Sequence, residues 1–183
     1  ISSNWGGTRI ECWMTDEAIR ETELIDKEKP FIGGDVTSDP HRLFNSMIWP
    51  LRNYTAKGWI WYQGESNRDN WFDYRNLMVS LVKLWRETWG NQAMPFYYVQ
   101  LAPYTYDGDD YRSLALTIEA QYQAMELIPH SGIAATTDIG NRTCIHPQKK
   151  YEVGTRLAWL ALRNDYGIEG VPRPAPTFKS MEM

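Results

Sequence analysis

The spacing of hydrophobic residues along the chain predicts three amphipathic helices. Over residues 71–89 the apolar side chains recur at steps of three and four residues, as on one face of a helix. Gly90 follows, and glycine readily takes the left-handed conformation with which many helices end. The same spacing predicts helices over residues 110–127 and 149–163.

Short runs of aromatic and β-branched residues predict three buried strands that alternate with these helices. They cover residues 57–63, 96–101 and 132–137. Because parallel strands cannot be joined by a tight turn, this alternation predicts parallel crossovers. The expected fold is a three-layer α/β domain with a parallel sheet.

The first fifty residues follow a less regular pattern. Short helices are predicted at residues 8–14, 15–21 and 41–48, and Pro50 is expected to stop the last of them. The opening Ile1-Ser2-Ser3-Asn4 has the character of the tail of a strand. We therefore expect the chain to be a piece of something longer.

The sequence near the C-terminus predicts a domain boundary. Proline-rich sequence after residue 166 is typical of an extended linker, and residues 177–183 resemble the first strand of a further module. We expect a partial domain over residues 1–166, followed by a linker and the start of another module over residues 167–183.

Composition and charge narrow the classes of function. Nineteen Lys and Arg against twenty-three Asp and Glu give a formal charge of −4, with no basic block, which argues against nucleic-acid partners. No apolar run approaches the ~18 residues of a membrane span. The two cysteines and three histidines lack metal-ligand spacing, so neither a metal nor a cofactor is expected. Nine Trp and eleven Tyr would suit the flat faces of sugar rings.

Polar residues follow the predicted strands, and the carboxyl ends of parallel strands form the edge at which ligands bind. We expect them to converge there. The segments are Ser3-Asn4-Trp5-Gly6-Gly7-Thr8, then Gln63-Gly64-Glu65-Ser66-Asn67, and finally Asp138 leading into Cys144-Ile145-His146-Pro147.

Several of these residues have a chemical and a structural interpretation. The Gly6-Gly7 pair offers unhindered N–H groups for an oxyanion, or simply a tight turn. His146, fixed ahead of Pro147, is a candidate general base. Ser66 is a candidate nucleophile on an elbow-like Gly-Glu-Ser turn, although the second glycine of that motif is absent. The polar cluster from Gln63 onward is either a ligand site or a solvated loop.

The motifs, taken in order, resemble the sialate O-acetylesterase family of SGNH-type hydrolases. The resemblance runs through nearly the whole chain, and the stretch Trp61-Tyr62-Gln63-Gly64-Glu65-Ser66-Asn67 is its most specific part. The other matching stretches are Trp5-Gly6-Gly7-Thr8, Glu11-Cys12-Trp13, Phe44-Asn45-Ser46-Met47-Ile48-Trp49-Pro50-Leu51, Val99-Gln100-Leu101-Ala102, Asp138-Ile139-Gly140 and Ile145-His146-Pro147.

The resemblance implies a flavodoxin-like sheet and hydrolysis of acetyl esters on sialic acids or related sugars. It assigns His146 as the base, Gly6 or Gly7 as the glycine donor to the oxyanion, and Gln63 as the amide donor, with Asn67 as a second claimant. Ser66 then loses its role as nucleophile.

Substrate contacts are expected from the same set of residues. Asn67 and Trp5 are expected to contact the sugar, while Trp13 and Trp61 are expected mostly in the core. Glu65 is either a substrate ligand or a buried acceptor that holds loops together.

Two departures from the family pattern stand out. The family's nucleophilic serine lies in a segment upstream of the Trp-Gly-Gly-Thr motif, so we expect it outside this chain, which alone would be inactive. Many SGNH enzymes carry an aspartate three residues before the histidine, but here that residue is Thr143. Either Asp138 or a backbone carbonyl near Cys144 would then orient the imidazole.

The resemblance suggests a secreted or periplasmic protein, lysosomal if it comes from a vertebrate. The competing hypothesis is a non-catalytic carbohydrate-binding or scaffold domain, motivated by the abundant tryptophan and the serine expected elsewhere.

Overall fold

A parallel sheet forms the centre of the computed structural model, which describes residues 1–24, 39–106, 112–173 and 180–182. Over those residues it contains β1 (Trp59–Trp61), β2 (Phe96–Val99) and β3 (Ser131–Ala134), in the order β1-β2-β3. Both neighbouring pairs are parallel. The three predicted strands are confirmed, each shorter than the run that predicted it.

Within the described ranges, four α-helices pack around the sheet, and the apolar spacing that predicted the three longer ones is confirmed. They are α1 (Asp16–Glu21), α2 (Trp71–Thr88), α3 (Arg112–Leu127) and α4 (Lys150–Asn164). Thr15 caps α1, since its side chain accepts a hydrogen bond from the Ala18 N–H. Gly90 closes α2 with a φ of 64°, as the end signal predicts. The beginning predicted for α3 lies partly outside the described residues.

The alternation of side chains along β2 produces two cores. Phe96 and Tyr98 pack into the larger core, which also contains buried side chains of α2 and α3. Tyr97 and Val99 point the other way, into a smaller core with Val153, Leu157 and Leu160 of α4. Helices therefore lie on both faces of the sheet, and the three-layer α/β prediction is confirmed.

The N-terminal third differs from the sequence expectations at two places. Residues 1–5 form no strand, so the predicted strand tail is wrong for this structure. Phe44–Ile48 forms a π-helical turn that continues into a 3₁₀ turn over Trp49–Leu51. Pro50 does not stop the helix at Ile48, because a proline fits the first turn of the next helical segment.

The C-terminal prediction is only partly covered by the structure. Residues 167–173 form neither helix nor strand, whereas residues 174–179 and 183 lie outside the described residues. The linker and the following strand therefore stay predictions. Among the described helices, none is both long enough and apolar enough to span a bilayer.

The loops that follow β2 and β3 are held against each other. Gly140 lies so close to Pro103 that a Cβ on residue 140 would meet the Pro103 ring and its backbone nitrogen. The Thr105 N–H also donates to the Arg142 carbonyl at 2.9 Å. These contacts fix the start of the segment that carries His146.

Candidate active site

A cavity of about 870 Å³ lies where the carboxyl ends of β1 and β2 meet the loop before α4. Most of the residues singled out from the sequence line it. These are Trp5, Gly6, Gly7, Gln63, Glu65, Ser66 and His146. Asn67 and Asp138 do not line it. The structure thus brings the glycine turn, the polar cluster and the histidine to one place.

The glycine turn forms one side of this cavity. Gly7 has a φ of 71°, a conformation that side chains disfavour, and no other heavy atom lies within 4 Å of where a Cβ on Gly6 or Gly7 would stand. The buried Thr8 anchors the turn, because its hydroxyl donates to the Trp5 carbonyl and accepts from the Trp13 indole. Trp5 itself is half exposed beside the cavity.

The Gln63 amide is committed to bonds within the protein. Its Nε2 donates to the Thr8 carbonyl at 2.9 Å and to Asn67 Oδ1 at 2.7 Å, and its Oε1 accepts from the Tyr74 hydroxyl at 2.9 Å. Both amide hydrogens are used, since Nε2 carries only two. A contact from Gln63 to an oxyanion, as predicted, would have to replace one of these bonds.

Asn67 lies fully buried behind Gln63. Its Oδ1 accepts from the Ile10 N–H at 2.9 Å as well as from Gln63, and its Nδ2 donates to Glu11 Oε2 at 2.9 Å and to Asn70 Oδ1 at 3.2 Å. The predicted roles in substrate and oxyanion contact do not match this geometry. Asn67 holds two chain segments together, and nothing of it faces the cavity.

Glu65 is a half-buried carboxylate at the cavity. Burial raises its pKa above the usual 4.5, an effect that its own backbone N–H and the positive charges of Lys150, His146 and Arg68 counteract in part. Lys150 also lies over the Tyr62 ring, with its Nζ 5.0 Å from the ring centroid. Burial next to Glu65 raises the pKa of Tyr62 to about 12.

His146 lies exposed on the loop between β3 and α4, ahead of the buried Pro147. Asp138, predicted to orient it, is held elsewhere: Arg156 donates to both of its oxygens, at 2.7 and 2.6 Å. This pair lowers the pKa of Asp138 to about 2. Both residues are described, and no hydrogen bond joins Asp138 to His146. The alternative backbone acceptor is not seen either, since the bond near Cys144 runs from its Sγ to the His146 carbonyl.

Ser66 lines the cavity without engaging the histidine. Its carbonyl accepts from Arg9 at 3.3 Å, and no hydrogen bond joins its hydroxyl to His146, although both residues are described. The described ranges also contain no group of three or more His, Cys, Asp or Glu side chains suited to hold a metal ion.

Sequence reasoning missed the residues that hold the cavity wall in place, above all Glu11 and Tyr74. One signal was available. Glu11 is the only charged residue of the turn Ile10–Trp13, all of which is buried, and a buried carboxylate needs partners. The cavity cations Arg68 and Lys150 carried no such signal, because lysine and arginine at helix starts and loops are ordinary surface residues.

The three-layer arrangement and the cavity at the sheet edge define an α/β domain with the fold of SGNH-type hydrolases. A carbohydrate acetylesterase from Xanthomonas citri, solved as a crystal structure, superposes with a TM-score of 0.79 and 36% identity over 91% of this chain and 36% of that chain.

The family follows from the sequence comparison. A profile described as carbohydrate esterase, sialic acid-specific acetylesterase, matches residues 1–163. The chain therefore belongs to this family, as the motifs suggested. All of the chain aligns with the sialate O-acetylesterases of Homo sapiens, at 31% identity, and Mus musculus, at 29%. It spans 38% and 42% of their respective lengths.

Proposed function

We propose that the protein removes O-acetyl groups from sugars, with acetylated sialic acids and related sugars as its substrates. The observation that carries this proposal is the convergence of Gly6-Gly7, Gln63 and His146 on one cavity. Membership of the acetylesterase family supports the same chemistry. A neutral acetyl group on a large polar sugar also suits a cavity that has an exposed tryptophan beside it.

His146 acts as the base of the reaction. It takes the proton of a serine hydroxyl while the oxygen attacks the acetyl carbonyl carbon, and it then gives that proton to the departing sugar oxygen. A water molecule cleaves the acetyl-serine in the same way, releasing acetate. The exposed position of His146 lets the ring reach both oxygens without an internal acceptor competing for it.

The glycine turn and the wall behind it stabilise the negative charge that develops on the carbonyl oxygen. Gly6 and Gly7 can approach that oxygen closely because no Cβ intervenes. Gln63 supports this turn through its bond to the Thr8 carbonyl. We assign the attacking serine to a segment of the same protein outside these 183 residues, and we propose a secreted or periplasmic location.

The full-length protein tests this proposal. We expect it to release acetate from O-acetylated sialic acid and to react with a serine-directed phosphonate, and we expect His146→Ala to abolish the turnover. Labelling should persist in Ser66→Ala, because Ser66 is not the nucleophile. Binding of acetylated sugars without any turnover would instead support the carbohydrate-binding alternative and overturn the proposal.

A further inference from the structure

Glu11 is a buried carboxylate that the proposed mechanism does not use. Its side chain is 3% exposed, within a turn whose other residues are apolar. It accepts from Asn67 Nδ2 at 2.9 Å and from Asn70 Nδ2 at 3.3 Å, and Arg9 lies 3.5 Å away. Burying a carboxylate is costly, and an apolar residue would often serve stability as well. The placement of Glu11 therefore calls for a reason other than stability.

A carboxylate accepts hydrogen bonds but donates none, and this dictates how Asn67 is oriented. The amide nitrogen of Asn67 must face Glu11, so its oxygen must face the Ile10 N–H and Gln63 Nε2. A reversed Asn67 would place its nitrogen against two donors and its oxygen against a carboxylate. Only one orientation satisfies all of these groups.

The orientation of Asn67 in turn fixes the orientation of Gln63, which lines the cavity. With Asn67 Oδ1 fixed, the Gln63 nitrogen points at Asn67 and Thr8, while its oxygen takes the Tyr74 hydroxyl. The bond to the Thr8 carbonyl then fastens the end of the glycine turn. Glu11, Asn67, Gln63 and Thr8 thus form a continuous series of bonds, which we call the acceptor relay.

We infer that Glu11 is a positioning residue of the esterase: through the acceptor relay it holds Gln63 and the glycine turn in the one arrangement that suits the reacting acetyl group. This inference rests on the proposed function. It adds a residue that lies outside the cavity and acts on the reaction only through Gln63.

Glu11→Gln in the full-length protein tests the inference, because it keeps the shape and replaces one acceptor oxygen by a donor. We expect kcat to fall by about tenfold to a hundredfold, the effect of a small misplacement near the reacting atoms, with KM changed little. Val82→Ala, a core change in α2 outside the relay, is the control for lost stability and should keep kcat. An equal loss of kcat in both variants would overturn the inference.

A double-mutant cycle separates positioning from a general structural effect. If Glu11 acts through Gln63, adding Glu11→Gln to Gln63→Ala should lower kcat no further than Gln63→Ala alone. Independent, multiplying losses would overturn the inference. Should Glu11→Gln fail to fold, Glu11→Asp, which withdraws both oxygens, takes its place in the same cycle with the same expectation.

A crystal structure of the Glu11→Gln protein tests the geometry without turnover. We expect the contact between Gln63 Nε2 and the Thr8 carbonyl to be lost or lengthened. An unchanged contact would overturn the inference. If the wild-type enzyme proved inactive on every acetyl ester, the proposed function would fall, while this measurement would still decide whether Glu11 orients Gln63.

Discussion

The two sides of the cavity are built in opposite ways. The wall around Gln63 is buried, and every amide atom of Gln63 and Asn67 has a partner within the protein. The opposite side is the loop around His146, where most residues from 141 to 150 are exposed. The structure of the wall around Gln63 therefore depends on buried contacts, whereas the loop around His146 makes few of them. We expect changes in the wall to affect stability and activity together, and changes in the loop to affect activity alone.

The largest effect is expected on the exposed side. If His146 is the base we propose, His146→Ala should lower kcat/KM on an acetyl ester by about a thousandfold or more. The midpoint of thermal unfolding should stay the same, since the imidazole is exposed and no hydrogen bond to it is found among the described residues. Steady-state kinetics and calorimetry on the full-length protein check both parts. A large drop in the unfolding midpoint would contradict the contrast between the two sides.

The next effect is expected in the wall. Asn67→Ala should lower the free energy of unfolding by about 3 kcal/mol, because the Ile10 N–H, Gln63 Nε2 and Glu11 would each lose a buried partner. Urea unfolding followed by fluorescence measures it. Asn76→Ala, in which a surface bond to the Glu23 carbonyl is lost, is the matched control and should cost less than about 1 kcal/mol. Similar losses for both asparagines would show that the wall has no special stability.

Glu65 lies between the two sides and should respond to pH. Burial raises its pKa, so the folded state holds the proton more tightly than the unfolded chain does. Its favourable contribution to stability is present below the usual pKa of 4.5 and is lost as the pH rises through the raised value. Glu65→Gln removes this titration, and its stability relative to wild type should therefore increase from pH 4 to pH 7.

Glu65→Gln should also lower the rate of the reaction. Glu65 lines the cavity together with His146, so exchanging its carboxylate for an amide should disturb the polar lining around the reacting groups and lower kcat by about tenfold. Urea unfolding at the two pH values and initial rates at pH 7 measure the two effects. If the stability difference between Glu65→Gln and wild type did not change with pH, the raised pKa of Glu65 would be contradicted.

The smallest effect is expected for Asp138. Its carboxylate is exposed and paired with Arg156, not with His146. Asp138→Asn should change kcat by about threefold or less, and it should leave the pH profile of the base in place. A loss approaching that of His146→Ala would restore Asp138 as the residue that orients the imidazole.

The fold and the location of the cavity were predictable from sequence because they depend on local patterns. Apolar spacing predicted α2 and α4, and the rule for parallel sheets brought residues 63–67 and His146 to one edge. The partners of individual polar atoms were not predictable in this way. Glu11 and Asn67 are 56 positions apart, and Asp138 and Arg156 are 18 apart, and only the packed fold decides which amide or carboxylate meets which donor.

The contact between Gly140 and Pro103 anchors the loop that carries His146. Together with the bond from the Thr105 N–H to the Arg142 carbonyl, it holds the start of the loop against the segment that follows β2. The other end enters α4, which Arg156 ties to Asp138. His146 therefore lies on a segment anchored at both ends, and these two anchors keep the imidazole at the cavity.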